Sequence, residues 1–134
     1  MSQSAVAGLV LAAGRSSRMG ADKALLEYRG LSFLDTILTN LREAGLDPVA
    51  VVLGHHAAEI QRAVPLHHTQ VIVNSNYPLG QTSSLQAGLR GLNAEKIGGI
   101  LLCLVDHPLV SAQVMRQICT AYSESGAPVV VPRY

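Results

Sequence analysis

The stretch GLVLAAGRSSRMGADKALL, residues 8–26, decides how the rest of the chain is read. It opens as an apolar run and then, within residues 14–23, places two glycines, two serines, two arginines and a lysine. An apolar run that stops abruptly at glycine reads as a buried strand delivering its chain into a loop. Outward from it, short β-branched runs alternate with segments of helical period. Strands are expected over 6–13, 48–53, 70–74, 98–105 and 127–132, and helices over 32–45, 56–64, 82–92 and 111–126. Five strands and four helices in strict alternation predict an α/β fold. Strands apolar on both faces predict a mostly parallel sheet covered on each side.

Several boundaries carry their own chemistry. In the first long helix Ser32 is the expected N-cap, Phe33, Leu34, Ile37, Leu38 and Leu41 form the buried stripe, and Gly45 supplies the left-handed stop. The last helix is expected to begin at Ser111 and end at Gly126. Right-handed crossovers place the C-terminal end of every strand on one edge, where open α/β sheets bind ligands. Residues 14–23 leave the first strand on that edge.

Composition narrows the partners. The chain has 134 residues, is 49% hydrophobic and only 14% charged, and carries a formal net charge of +1. That fits one domain, and the missing basic excess disfavours nucleic acid. The longest apolar runs are far shorter than a membrane span needs, and no charged segment precedes an apolar one at the N-terminus, so a cytoplasmic protein is expected. Cys103 and Cys119 lack C-x-x-C spacing and read as small core residues. His55, His56 and Glu59, with His67 and His68, read as loop and helix-start residues, because no H-E-x-x-H pattern or cysteine partner accompanies them.

Residues 14–23 suit a polyphosphate. Gly14 and Gly20 let the backbone curl closely round an anion, Ser16 and Ser17 add hydroxyls, and Arg15, Arg18 and Lys23 oppose a single acid, Asp22. Spacing excludes two familiar phosphate loops. Five residues separate Gly14 from Gly20, with Lys23 three further on, so this is not G-x-x-x-x-G-K-[ST]; Ser16 stands where G-x-G-x-x-G needs its second glycine. A surface loop whose glycines serve turn geometry is the competing reading. Asp106, at the end of a seven-residue apolar run and before Pro108, places a carboxylate at the ligand edge. It suits magnesium shared with phosphate oxygens, or an Asx turn or cap ahead of the next helix. Ser83 and Ser84 read either as helix-capping residues or as part of a helix start that donates N–H groups to a nucleotide.

LAAGRSSRMGADKALLEYRG (11–30) resembles, at every fixed position, the signature L-A-A-G-x-S-x-R-M-G-x-x-K-x-L-L-x-x-x-G of the nucleotidyltransferases that act on molybdopterin. These belong to the glycosyltransferase-A-like nucleotidyltransferase superfamily. NSNYPLGQTSSLQAGL (74–89) resembles the cytidylyltransferase branch near base and ribose, and CLVDHPLV (103–110) resembles the superfamily's D-x-P, with His107 where that branch usually has glutamine.

The resemblance implies a Rossmann-like three-layer sandwich of the nucleotide-diphospho-sugar transferase type, with residues 1–134 as the N-terminal, nucleotide-binding portion of the domain. It implies transfer of CMP from CTP to a molybdopterin-type acceptor, with pyrophosphate released and Mg2+ required. Arg18 and Lys23 would act on the triphosphate as catalytic residues and Asp106 would bind magnesium. Leu11, Ala12, Ala13 and Gly14 would contact base and sugar through their backbone, Arg15, Ser16 and Ser17 the β- and γ-phosphates, and Gly80, Ser83 and Ser84 the base or ribose, with Asn74 in the same nucleotide-binding set. A molybdoenzyme or its chaperone is a further implied partner. Relatives continue past this point into a segment with the acceptor pocket, more strands and a second metal aspartate, so the chain is expected to be C-terminally incomplete, poorly active alone, and prone to self-associate through the strand over 127–132.

Overall fold

The computed structural model describes residues 5–13, 23–92, 97–105 and 107–128. Four parallel strands, β1 (Ala5–Ala12), β4 (Val49–Leu53), β5 (Gln70–Val73) and β6 (Ile97–Leu104), form a sheet of order β5-β4-β1-β6. Between β1 and β4 the chain makes a two-stranded hairpin, β2 (Glu27–Tyr28) with β3 (Leu31–Ser32), and then helix α1 (Phe33–Glu43). Helix α2 (Ala57–Ala63) links β4 to β5, α3 (Gln81–Gly91) links β5 to β6, and α4 (Ala112–Ser125) follows β6. These elements match the expected ones to within about two residues. The strand expected over 127–132 falls largely on 129–134, outside the described residues.

The period-two alternation of β1 sorts its side chains between two cores. Val10 and Ala12 join Leu34, Ile37, Leu38 and Leu41 of α1, Ile60 of α2 and Met115 of α4 on one face. Leu9, Leu11 and Ala13 face the other way, against Ala87 of α3 with Ala50 and Val52 of β4. This is the three-layer sandwich, and each fully buried leucine or isoleucine in it contributes about 1.5–3 kcal/mol. Strand β4 is buried at every position, as a doubly covered strand should be. Strand β6 departs from that expectation: Leu102 is 43% exposed, because β6 is, with β5, an outer strand among the described residues.

Local chemistry sets the helix ends. The Ser32 hydroxyl accepts from the Asp35 N–H at 3.0 Å and starts α1. At its far end the Leu46 N–H reaches the Leu41 carbonyl and the Gly45 N–H the Arg42 carbonyl, both at 3.1 Å, with Gly45 at φ 88°. That pair of bonds is the Schellman arrangement, and Leu46 is buried beside it. Ser111 caps α4 by accepting from the Val114 N–H at 3.2 Å, and Gly126 ends it at φ 67°.

Both cysteines pack half-buried against the α1 core, Cys103 from β6 and Cys119 from α4. Burial, and secondarily the neighbouring Cys119, pushes the Cys103 thiol from 9.0 up to about 11. Two consequences are expected. At pH 8 the Cys103 thiolate is ~100-fold scarcer than that of an unfolded thiol, so iodoacetamide should label the native protein slowly and the urea-unfolded protein fast. Because the folded value lies above the unfolded one, the contribution of Cys103 to stability is complete below pH 9 and lost as pH rises through about 11. Urea titrations at pH 8 and 11 should show a fall in midpoint that Cys103→Ala reduces; an equal fall in both proteins would refute the assignment.

Candidate functional site

The chain runs outward from β1 to β4 and β5, then returns across both to lay β6 on the opposite side of β1. The strand order therefore reverses between β1 and β6, and the crevice beyond the C-terminal ends of strands at such a point is where ligands bind in open α/β sheets. The register shows which residues line this edge. Ala12 pairs with Leu53, Leu53 with Val73, and Leu11 with Leu104. One step further along, Ala13, Gly54 and Asn74 come level, and Val105 stands one residue behind, level with Ala12.

Leu11, Ala12 and Ala13 are 6%, 3% and 2% exposed, so their side chains are spent on the core. Gly14, Arg15, Ser16, Ser17 and Arg18 lie outside the described residues, as does Asp106. Lys23 opens a 3₁₀ turn, Lys23–Leu25, whose Ala24 is fully buried in the α1 core. On the other side of Asp106, the His107 N–H closes a turn onto the Leu104 carbonyl at 3.1 Å. Val105 and Pro108 are buried on either side of it.

The residues expected near base and ribose come together. Asn74, 4% exposed, donates from Nδ2 to the Ser83 hydroxyl at 2.8 Å and to the Ser84 hydroxyl at 3.1 Å. Its Oδ1 accepts from the Asn76 N–H at 3.0 Å. Every polar atom of the amide is engaged, so Asn74 ties the end of β5 to the first turn of α3. Ser83 also donates to the Asn76 carbonyl at 3.0 Å. The capping reading of Ser83 and Ser84 is thereby corrected: α3 starts earlier, at Gln81, and both hydroxyls turn toward Asn74 rather than cap the helix.

Gly80 is the N-cap of α3, at φ 102° and ψ −173°, a conformation open in practice to glycine alone. No side chain caps the helix and no acid lies in its first turn. The leading amides of α3 therefore meet no carboxylate from the helix's own first turn, an arrangement that favours an anion or a polar ligand edge.

Sequence reading missed a second group at this edge. The short 3₁₀ turn Tyr77–Leu79 carries Tyr77, whose hydroxyl shares a 3.3 Å hydrogen bond with His55 Nδ1. His56 starts α2 at φ 62°, with its Nδ1 3.2 Å from Glu59. As expected, these histidines occupy a loop and a helix start. Among the described residues no three His, Cys, Asp or Glu side chains converge to hold a metal ion, and no helix is long and apolar enough to cross a membrane.

The family model for a MobA-like NTP transferase domain matches residues 8–134. The chain belongs to that family. It is 32% identical over 139 residues to the nicotine blue oxidoreductase of Paenarthrobacter nicotinovorans, covering 96% of this chain and 67% of that protein. A probable molybdenum cofactor guanylyltransferase of Opitutus terrae is 36% identical over 109 residues, covering 81% and 52%. The crystal structure of Rv0371c from Mycobacterium tuberculosis H37Rv shares the fold with a TM-score of 0.82 at 36% identity, over 90% of this chain and 62% of that one. The same mycobacterial protein, in a complex with manganese, gives a TM-score of 0.75 at 33% identity over 87% and 59%. The chain thus spans roughly half to two thirds of these relatives. The family's fold is the one that the alternation of strands and helices predicts.

Proposed function

We propose that the chain forms the nucleotide-binding part of a nucleotidyltransferase that moves CMP from CTP onto a molybdopterin-type acceptor. The observation that carries this reading is the meeting of two features at one sheet edge. One is the end of β1, which leads into Gly14–Lys23; the other is the α3 start braced by Asn74. A terminal phosphate oxygen of the acceptor attacks the α-phosphorus, the bond from that phosphorus to the bridging oxygen breaks, and pyrophosphate leaves with the electron pair.

Such a step needs positioning and charge neutralisation more than covalent help. Arg18 and Lys23 are assigned to the triphosphate and its developing charge, and Arg15, Ser16 and Ser17 to the β- and γ-phosphates. The backbone of Leu11 to Gly14, with Gly80, Ser83 and Ser84, holds base and ribose, and Asn74 keeps the serines in place. Asp106 supplies one hard oxygen donor, which suits magnesium or manganese shared with phosphate oxygens. The manganese complex of the mycobacterial relative supports a divalent cation. When bound, the ion neutralises triphosphate charge.

The preference for cytosine rests on the likeness of residues 74–89 to the cytidylyltransferase branch, and the relative named a guanylyltransferase weighs against it. Competition between CTP and GTP decides. A pocket built on the backbone of Leu11 to Gly14 complements a pyrimidine edge and leaves groups unpaired against a purine, so CTP is expected to bind tighter; tighter GTP binding would reverse the base assignment. Pyrophosphate release with each nucleoside triphosphate, with and without molybdopterin, tests the reaction itself. Asp106→Asn should weaken nucleotide binding more with magnesium than without it, because the amide keeps the shape and loses the charge. Equal weakening by calorimetry returns Asp106 to a turn-forming role.

A further inference from the structure

We infer that His55 is a positioning residue for the nucleotide site, acting through Tyr77 on Gly80 and the first turn of α3. The inference rests on the nucleotide-binding reading proposed above. The Tyr77 ring is held at both ends by the segment that follows β4. At its root, a Cβ on Gly54 would stand 2.6 Å from Tyr77 Cβ and 2.9 Å from its Cγ, so a glycine at 54 lets the ring approach that closely. At its tip, His55 Nδ1 shares the 3.3 Å bond with the hydroxyl, with the ring centroids 5.6 Å apart. Behind His55 the His56 ring lies 3.8 Å away, centroid to centroid, and is itself held by Glu59.

The backbone of Tyr77 lies in the middle of the link between β5 and α3. Its N–H donates to the Asn74 carbonyl at 3.3 Å, and its carbonyl accepts from the Gly80 N–H at 3.0 Å. Asn74 is the residue that binds Ser83 and Ser84, and Gly80 is the cap from which the leading amides of α3 emerge. A ring fixed to β4 therefore sets where the start of α3 stands relative to the sheet edge. Loss of the His55 bond removes one of the ties that place the turn Tyr77–Leu79, and displacements near 1 Å matter at a site that works by positioning.

One hydrogen bond at this position is worth ~3- to 10-fold in binding. Calorimetry with MgCTP and MgGTP on the wild-type chain, His55→Ala, Tyr77→Phe and the double variant should show that loss in each single variant. The double variant should show no further loss, because both changes remove the same bond. His55→Asn, which sets an amide where Nδ1 stood, should restore affinity, and His55→Gln, which sets it where Nε2 stood, should not. Circular dichroism separates a shifted turn from an unfolded chain; if His55→Ala does not fold, Tyr77→Phe and the Asn and Gln pair carry the test. Wild-type affinity in the single variants, losses that add, or equal behaviour of Asn and Gln overturns the inference and leaves nucleotide binding standing. A wild-type chain that binds neither nucleotide overturns both.

Discussion

Lys23→Ala is expected to lower nucleotidyl transfer ~10²- to 10³-fold, the usual cost of removing one oriented donor from a site where transition-state charge develops. The fold should survive the change. The 3₁₀ turn that Lys23 opens is anchored by its neighbours, with Ala24 fully buried and Leu25 packed against the α1 core. The lysine that ends the Gly14–Lys23 motif thus begins an element whose next two residues pack on the α1 core. Pyrophosphate release at saturating MgCTP in the presence of molybdopterin measures the effect. Near-wild-type turnover in a variant with unchanged circular dichroism would remove Lys23 from the triphosphate.

Much of this architecture is legible because its signals are local. The strand and helix periods of 6–13, 32–45, 48–53 and 111–126 come with their own stops, in Ser32, Gly45, Ser111 and Gly126, and each of these residues does in the fold what its chemistry allows. The hairpin of β2 and β3 was not legible. Its two-residue strands are too short to show alternation, and its turn places Arg29 at φ 54° beside Gly30 at φ 83°, where asparagine or aspartate would have advertised the same geometry.

The candidate site divides in the same way. Asn74, Ser83 and Ser84 stand in a contiguous motif, so sequence places them together, but it does not show that the amide binds both hydroxyls and acts as a brace. The His55–Tyr77 bond joins residues 22 apart in sequence. It exists because β4 and β5 are neighbours whose ends are in register, a tertiary fact that no local pattern encodes. The partial exposure of Leu102 has the same origin: its apolar side chain looks like that of a covered strand, and strand order decides how much of it is covered.

Helix α3 lies close on the sheet at two glycines, Gly88 over Leu9 and Gly91 over Ile72. Leu9 is fully buried in the central strand, in register with Ala50 and Leu102. Leu9→Ala is expected to lower stability by ~2–5 kcal/mol, a large share of the ~5–15 kcal/mol that holds a domain folded. Across from Leu9 lies Gly88 of α3, where a Cβ would meet Leu9 Cδ2 at 2.7 Å and Val52 Cγ2 at 3.2 Å. Gly88→Ala alone therefore overpacks the core at a cost of ~1–3 kcal/mol, against a helix-propensity gain of about 1 kcal/mol. In the Leu9→Ala background the clash with Leu9 is gone and the new methyl fills part of the cavity. The double variant should then be ~1–2 kcal/mol more stable than Leu9→Ala, from helix propensity and methyl burial together. Urea unfolding of the four proteins measures the coupling. Additive effects of the two substitutions would show that α3 does not rest on Leu9 through Gly88, and that the height of the helix above the sheet is set elsewhere.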